Sequence, residues 1–191
     1  MQIVQPIRDI KKINQIEKIL KKQNMRDYML FRIGINSGLR ISDILKLKVK
    51  DLRNQTHFTL REQKTGKPQK LKIQPTLKKE IDEYIKDMDD EDYIFKSQKG
   101  NNSPIQRMQA WRILNKAANQ VGINGEIGCH TLRKTFGYHF YKYTGGDIVI
   151  LQKIFNHSSP QITLRYIGIL QDQIDELIDG FDYRKLKNKR K

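Results

Sequence analysis

Apolar residues in this chain recur at three- and four-residue steps almost throughout and give way to alternation in one place only. That single change of period confines the fold to a set of helices packed around one small sheet. Ile10, Ile13, Ile16, Ile19 and Leu20 mark a first helix, with Lys11, Lys12, Lys18, Lys21 and Lys22 on its wet side. Tyr28, Leu30, Phe31, Ile33 and Ile35 predict a second, more buried helix that ends at the turn chemistry of Ser37 and Gly38. Ser42 and Asp43 are expected to cap a short helical run from Ile44 to Leu47. After Asp51 the pattern alternates: Thr56 to Gln63 and Gln69 to Gln74, joined across Lys64, Thr65, Gly66, Lys67 and Pro68, predict a hairpin. A helix then begins at Pro75 and carries Leu77, Ile81, Tyr84 and Ile85. The turn-rich stretch Ser97 to Ser103 precedes a predicted helix from Pro104 to Val121, with Trp111, Ile113, Leu114 and Val121 as core candidates. Further helical segments are expected at Thr131 to Tyr143, Asp147 to Phe155, Pro160 to Ile167 and Gln171 to Phe181. The fold class is mainly α with a small antiparallel β-sheet or hairpin, an α+β domain over 1–181, followed by a basic C-terminal tail at 182–191.

Charge narrows the partners. The 191 residues hold 37 Lys+Arg against 21 Asp+Glu, a formal net charge of +16, so any extended acidic polymer is attracted over several kT. The longest weakly charged stretch, Tyr143 to Leu151, is broken by Gly145, Gly146 and Asp147 and falls far short of the ~20 apolar residues of a membrane span. The first twenty residues alternate charge and lack the apolar run of a secretory signal, which predicts a cytoplasmic protein. Cys129 is the only cysteine, so neither an intrachain disulfide nor a thiolate zinc site is expected.

Five segments carry chemistry: SGLR at Ser37 to Arg40, QKTGK at Gln63 to Lys67, HTLR at His130 to Arg133, NHSS at Asn156 to Ser159, and TLRY at Thr163 to Tyr166. A phosphodiester is cut without metal when a nucleophile attacks phosphorus, cations hold the non-bridging oxygens and an acid protonates the leaving oxygen. Arg40 and Arg133 offer planar forks that grip phosphate oxygens bidentately. Losing either would remove about 3–4 kcal/mol of transition-state stabilisation, the scale of one oxyanion donor. His130 stands three residues before Arg133, so a helix starting there sends both side chains to one face.

In this order the five segments resemble the tyrosine recombinase (phage integrase) catalytic domain, over roughly Met25 to Gly168. The resemblance implies the fold of that domain and a site-specific recombinase that cleaves and rejoins duplex DNA through a 3′-phosphotyrosine. Tyr166 is then the nucleophile and His130 its base. His157 donates a hydrogen bond to the phosphate, and Lys64 at the hairpin tip is the general acid for the 5′ oxygen, with Lys67 as its rival. Asp43, three residues after Arg40, matches a common acidic position and takes a supporting role. A phenol of pKa ~10 needs such neighbours to react near neutrality. No cofactor and no metal are implied, the acids being concentrated in the run Asp87 to Asp92, which is expected to face away from DNA. The partners are double-stranded DNA and further copies of the chain, as a homo-tetramer on DNA that can be a monomer when free. Ile174, Leu177, Ile178 and Phe181 form a stripe that docks either in cis or on a neighbouring copy.

Taken singly, each residue has a plainer reading. Arg40 with Asp43 is a surface ion pair worth ~0–1 kcal/mol, His130 a capping or core histidine, His157 part of a loop, and Tyr166 a core aromatic. Order and spacing together outweigh these; His57 and His139, outside the motifs, keep the plain reading. The alternatives at the level of function are a non-catalytic DNA-binding accessory module of the same fold and type IB topoisomerase-like relaxation. Two positions depart from the family pattern: Phe155-Asn156 replaces Leu-Gly, where Asn tolerates the left-handed backbone, and Thr131 replaces an acidic residue. Family members usually carry a helical core-binding domain in front, where only some 25 residues precede the match here. The chain therefore reads as the catalytic half of a two-domain clamp, as a minimal recombinase or as a fragment.

Phosphate contacts should dominate affinity. Binding to a DNA duplex is expected to fall by about 0.9 decade per decade of salt for each phosphate neutralised. A near-flat log–log plot would remove the basic surface from this role.

Overall fold

The structure, a computed structural model, describes residues 4–63, 65–123, 127–128, 130–169 and 178–181. Helix α1 (Ile10–Gln23) starts where the Asp9 carboxylate accepts the Lys11 N–H at 2.7 Å, and buries Ile13, Ile16 and Leu20. Asn24 closes α1 through its N–H to the Leu20 carbonyl and opens α2 (Met25–Ser37) by accepting from the Asp27 N–H. Helix α2 is the central element, buried at Tyr28, Met29, Leu30, Phe31 and Ile33 and packed against α1, α3 (Ile41–Ile44), α4 (Pro75–Ile85), α5 (Arg107–Gln120) and α6 (Thr131–Tyr143). Strands β1 (His57–Arg61) and β2 (Pro68–Lys72) pair antiparallel, with Phe58 opposite Leu71, and Phe58 plugs the sheet into the core. The order closes with α7 (Ile148–Phe155) and α8 (Pro160–Tyr166). No described helix is long and apolar enough to cross a membrane.

Two apolar clusters result. The large one surrounds α2. A small one, made of Leu151, Phe155 and Ile167 with Phe136, Phe140 and Tyr166 against it, joins α6, α7 and α8. At ~1.5–3 kcal/mol for each fully buried large side chain, three such residues suffice to hold the last helices on α6. The N-terminal segment also ties in: Ile7 N–H donates to Thr135 Oγ1 at 2.9 Å, His139 Nε2 lies 2.9 Å from the Ile7 carbonyl, and Lys134 Nζ donates to the Val4 carbonyl at 2.7 Å.

Several expectations need correction. The short third helix begins at Ile41, with Arg40 rather than Ser42 or Asp43 at its N-cap, because Gly38 ends α2 in a left-handed turn (φ 65°) and Arg40 is extended. Helix α5 begins at Arg107 and not at Pro104: Pro104 bridges Lys96, and the Ile105 N–H donates to the Phe95 carbonyl at 2.8 Å, which spends those residues on extended pairing. Of the core candidates on this segment Ile113, Leu114 and Val121 are buried, joined by Ala110 and Ala117, but Trp111 is 41% exposed. The acidic run is consumed by surface pairs, Asp90 with Arg53, Glu91 with Lys48 and Lys50, and Asp92 with Lys96. Cys129, Ile174, Leu177, most of the segment Gln171 to Phe181 and the tail 182–191 lie outside the described residues. Ile178 and Phe181 are exposed.

Contact between α2 and α6 requires a residue without a side chain at Gly34. A Cβ there would lie 2.9 Å from the Leu132 Cβ and closer still to its Cδ1. Gly34→Val is expected to cost about 1–3 kcal/mol, read as a melting temperature lower by about 2–10 °C for a chain of this size. An unchanged melting temperature would show that the two helices do not approach this closely.

Candidate active site

Helix ends build the centre of the site. Helix α6 begins one residue after His130, and its first turn buries Arg133, which is 2% exposed. One Arg133 amino group donates to the Gly38 carbonyl at the end of α2 and the other to the Phe155 carbonyl at the end of α7, at 2.9 Å, while the guanidinium lies 4.3 Å over the Phe155 ring. Gly38 suits this position doubly. Its φ is positive, and a Cβ would meet Phe136 Cδ1 at 2.6 Å. Asn156 adopts the left-handed conformation (φ 52°, ψ 35°) that caps α7, as expected of the residue replacing glycine. Burial pushes the Arg133 pKa down to about 10, which leaves it cationic at neutrality.

Arg40 stands beside this centre, with its side chain 15% exposed and paired through Nη1 to the buried carboxylate of Glu62. Glu62 is the residue that sequence reasoning missed. It closes β1, is 1% exposed, and its Oε2 accepts from Thr65 Oγ1 at 2.5 Å. Burial favours its neutral form, but hydrogen bonds from Thr65 and Arg40 and the Arg40 charge outweigh this and hold its pKa below the ordinary value. Asp43 is also buried, and its Oδ1 accepts the Gln63 N–H at 3.1 Å; burial raises its pKa against the pull of that bond and of Arg40. Glu62 thus joins the arginine to the turn between β1 and β2, and Asp43 braces the same turn. Lys64 itself lies outside the described residues, and Lys67 is exposed with its N–H on Thr65 Oγ1 at 3.3 Å. The signal for Glu62 was present as the one carboxylate in the otherwise basic segment Leu60 to Lys67.

Helix α8 presents Tyr166 between two histidines. Ser159 Oγ accepts the Ile162 N–H at the N-cap, and Thr163 and Ile167 are buried beneath the helix. The Tyr166 hydroxyl is 3.2 Å from His130 Nδ1, and its ring meets those of His157 and Phe155 edge-on at 5.2 and 5.5 Å between centroids. Burial raises the phenol pKa, and the charges of Arg133 and Arg40, with a hydrogen bond from Arg133, pull it back only in part. The resting phenol is therefore protonated at neutrality and needs an acceptor, and His130 Nδ1 lies within reach. His157 Nδ1 is 3.0 Å from Thr163 Oγ1. Thr163 Oγ1 also donates to the Ser159 carbonyl at 3.2 Å, so its single proton has two acceptors in reach; the neutral ring carries its own proton on Nε2, the arrangement a phosphate donor requires, when the hydroxyl turns to Nδ1. His157 is held neutral because burial, followed by the charges of Arg133 and Arg40, lowers its pKa to about 4.

Arg40, Arg133, His130, His157 and Tyr166 thus meet around one hydroxyl, with Asp43 one layer behind. His139 serves the N-terminal segment and His57 pairs with Thr56 Oγ1. Lys134, absent from the sequence reading, carries its Nζ 5.3 Å over the Tyr166 ring. Thr131 caps locally, its Oγ1 accepting the Gly128 N–H at 3.0 Å. No group of three or more His, Cys, Asp or Glu among the described residues stands together as a metal site.

Known proteins share this arrangement of elements. Residues 7–173 match the sequence profile of the Phage integrase family. The chain is 56% identical over 172 residues to the probable integrase/recombinase YoeC of Bacillus subtilis, covering 90% of this chain and 93% of that one. The crystal structure of XerA recombinase superimposes with a TM-score of 0.73 at 20% identity, over 93% of this chain and 64% of that one. A lambda integrase tetramer bound to a Holliday junction gives 0.68 at 15% identity, over 87% of this chain and 49% of that one. The chain thus spans nearly all of the Bacillus protein but about half to two thirds of the two structural neighbours.

His157 gives stability a pH dependence of known sign. A folded value near 4 against an ordinary 6.5 means that the unfolded chain takes the proton first as pH falls. The histidine's contribution is complete above pH ~6.5 and is lost progressively toward pH ~4. The melting temperature of wild type should therefore drop more between pH 7 and pH 5 than that of His157→Gln; parallel curves would place the imidazole in water.

Proposed function

The chain belongs to the phage integrase family and has the fold of tyrosine recombinase catalytic domains, and from that premise we propose that it is a site-specific recombinase acting on double-stranded DNA. Tyr166 Oη attacks the scissile phosphorus, the bond from phosphorus to the 5′ oxygen breaks, and a 3′-phosphotyrosine forms. The phenolic proton passes to His130 Nδ1, and Lys64 supplies a proton to the departing 5′ oxygen. Arg40 and Arg133 hold the non-bridging oxygens, and His157 adds a neutral donor. The reverse sequence, with a 5′ hydroxyl from another strand as nucleophile, rejoins the DNA. Exchange between two duplexes needs four active tyrosines, so the working form is a homo-tetramer on DNA, with the basic tail 182–191 following the phosphate backbone.

The observation that carries this reading is the contact of 3.2 Å between Tyr166 Oη and His130 Nδ1, on a tyrosine also hydrogen-bonded by Arg133. A core aromatic has no need of a base and a cation at its hydroxyl. Arg133 is already fixed by two backbone carbonyls, so its charge needs no reorganisation when phosphate arrives.

Footprinting on DNA flanking the native locus defines a site, and a nicked suicide duplex of that site then traps the intermediate. A covalent protein–DNA adduct on a denaturing gel, abolished by Tyr166→Phe, is expected. An equal adduct from the variant would discard Tyr166, binding without any adduct would favour an accessory DNA-binding module, and relaxation of supercoiled circles without strand exchange would favour a topoisomerase.

A further inference from the structure

Building on the recombinase reading, we propose that Glu62 is a positioning residue for cleavage: its buried carboxylate orients Arg40 toward the scissile phosphate and seats the turn that carries Lys64. Three observations converge on it. Glu62 is 1% exposed, directly after strand β1, whose last residue Arg61 is exposed, and a buried carboxylate is retained only where it is paired. It faces Arg40 through Nη1, an atom that is itself buried, so the 15% of the Arg40 side chain that stays exposed lies on its other atoms. Its second oxygen accepts from Thr65 Oγ1, its N–H donates to the Lys67 carbonyl at 3.0 Å, and its own carbonyl accepts the Gly66 N–H at 2.8 Å. One residue therefore closes the turn on both sides of Lys64 and holds the inner edge of the arginine.

The consequence is geometric. A guanidinium is planar, so fixing one amino group inward fixes the direction of the remaining donors. An arginine without this partner would swing among several rotamers, and a misplacement of 1 Å at a reacting centre can cost about 10²-fold in rate. Glu62 touches neither nucleophile nor phosphate in this scheme; it acts through Arg40 and through the backbone beside Lys64. The Asp43 bond to Gln63 N–H braces the same turn from the other side.

The test uses the full chain and the suicide duplex described above, under single turnover with saturating enzyme. Glu62→Ala is expected to slow adduct formation about 10²-fold while duplex affinity changes by less than about threefold. Glu62→Gln, whose Oε1 can accept from Arg40 while its amide N–H donates to Thr65 Oγ1 but which lacks the charge, should recover much of the loss. Two readouts separate positioning from mere structural support. The double variant Arg40→Ala/Glu62→Ala should be little slower than Arg40→Ala alone. On a duplex with a neutral methylphosphonate at the cleaved position, where Arg40 has less charge to meet, the defect of the Glu62 variants should shrink to severalfold. If Glu62→Ala fails to fold in a melting experiment, Glu62→Met, which fills the space but removes both carboxylate oxygens, carries the same comparisons. Wild-type rates in the Glu62 variants, or a defect that is additive with Arg40→Ala and equal on both duplexes, would overturn the assignment. Absence of an adduct from wild type itself would overturn the recombinase reading beneath it.

Discussion

The arrangement of this protein turns on one buried guanidinium. Moving an arginine into a protein interior costs several kcal/mol unless its donors are met, and Arg133 meets them with backbone rather than with a carboxylate. Both accepting carbonyls lie where a helix stops. Gly38 stops α2 with its own left-handed backbone, and Asn156 stops α7 immediately after Phe155. Carbonyls at helix C-termini have no partner in the helix and carry the negative end of its dipole, which makes them suitable seats for a cation. Helices α2, α6 and α7 are thereby joined at one point, in the narrow space between the large core and the small one.

The electrostatics of the pocket follow from this. Burial, followed by the charges of two arginines, drives the neighbouring His157 imidazole to its neutral form, and burial keeps the phenol protonated. The resting state thus holds the phenolic proton on oxygen and leaves the His157 imidazole uncharged. Glu62 and Asp43 offset the cations from beneath, one ionised and strongly bonded, the other drawn upward by burial. A phosphate entering from the open side brings negative charge to the face those carboxylates do not occupy.

Legibility from sequence was uneven for identifiable reasons. Helices with a strong apolar stripe, α1 and α4, lie where periodicity put them, because one face is buried and one is wet. Trp111 was misjudged because amphipathic spacing does not say which of two neighbouring stripes a helix buries; α5 buries the stripe of small and branched residues and leaves the indole outside. The start of α5 was misplaced because a proline suits the first turn of a helix and equally suits an extended stretch, and the bridge to Lys96 decides between them. Among the site residues, those in recognisable motifs were visible as an ordered set. Glu62 was not, since its meaning depends on a partner 22 positions away in sequence and on burial that its position between Arg61 and the Lys-bearing turn does not advertise. The backbone partners of Arg133 were invisible for a stronger reason: a carbonyl has no letter in the sequence.

Tyr166 sits at the end of a helix of seven residues, too short to be stable alone, since isolated helices below about 12–15 residues are marginal in water. Its position is therefore set by what surrounds it. Ser159 caps the start, Thr163 and Ile167 anchor the underside, and the rings of Phe155 and His157 confine the phenol from one side. Immediately beyond it, Gly168 turns with φ 77°, and its carbonyl accepts from Arg8 of the N-terminal segment at 2.7 Å. That segment is fastened in turn to α6 at Ile7 and Val4, the same helix that supplies Arg133 and begins at His130. Tyr166, His130 and Arg133 therefore share one frame, and the short helix gains from α6 the rigidity that its own length cannot provide.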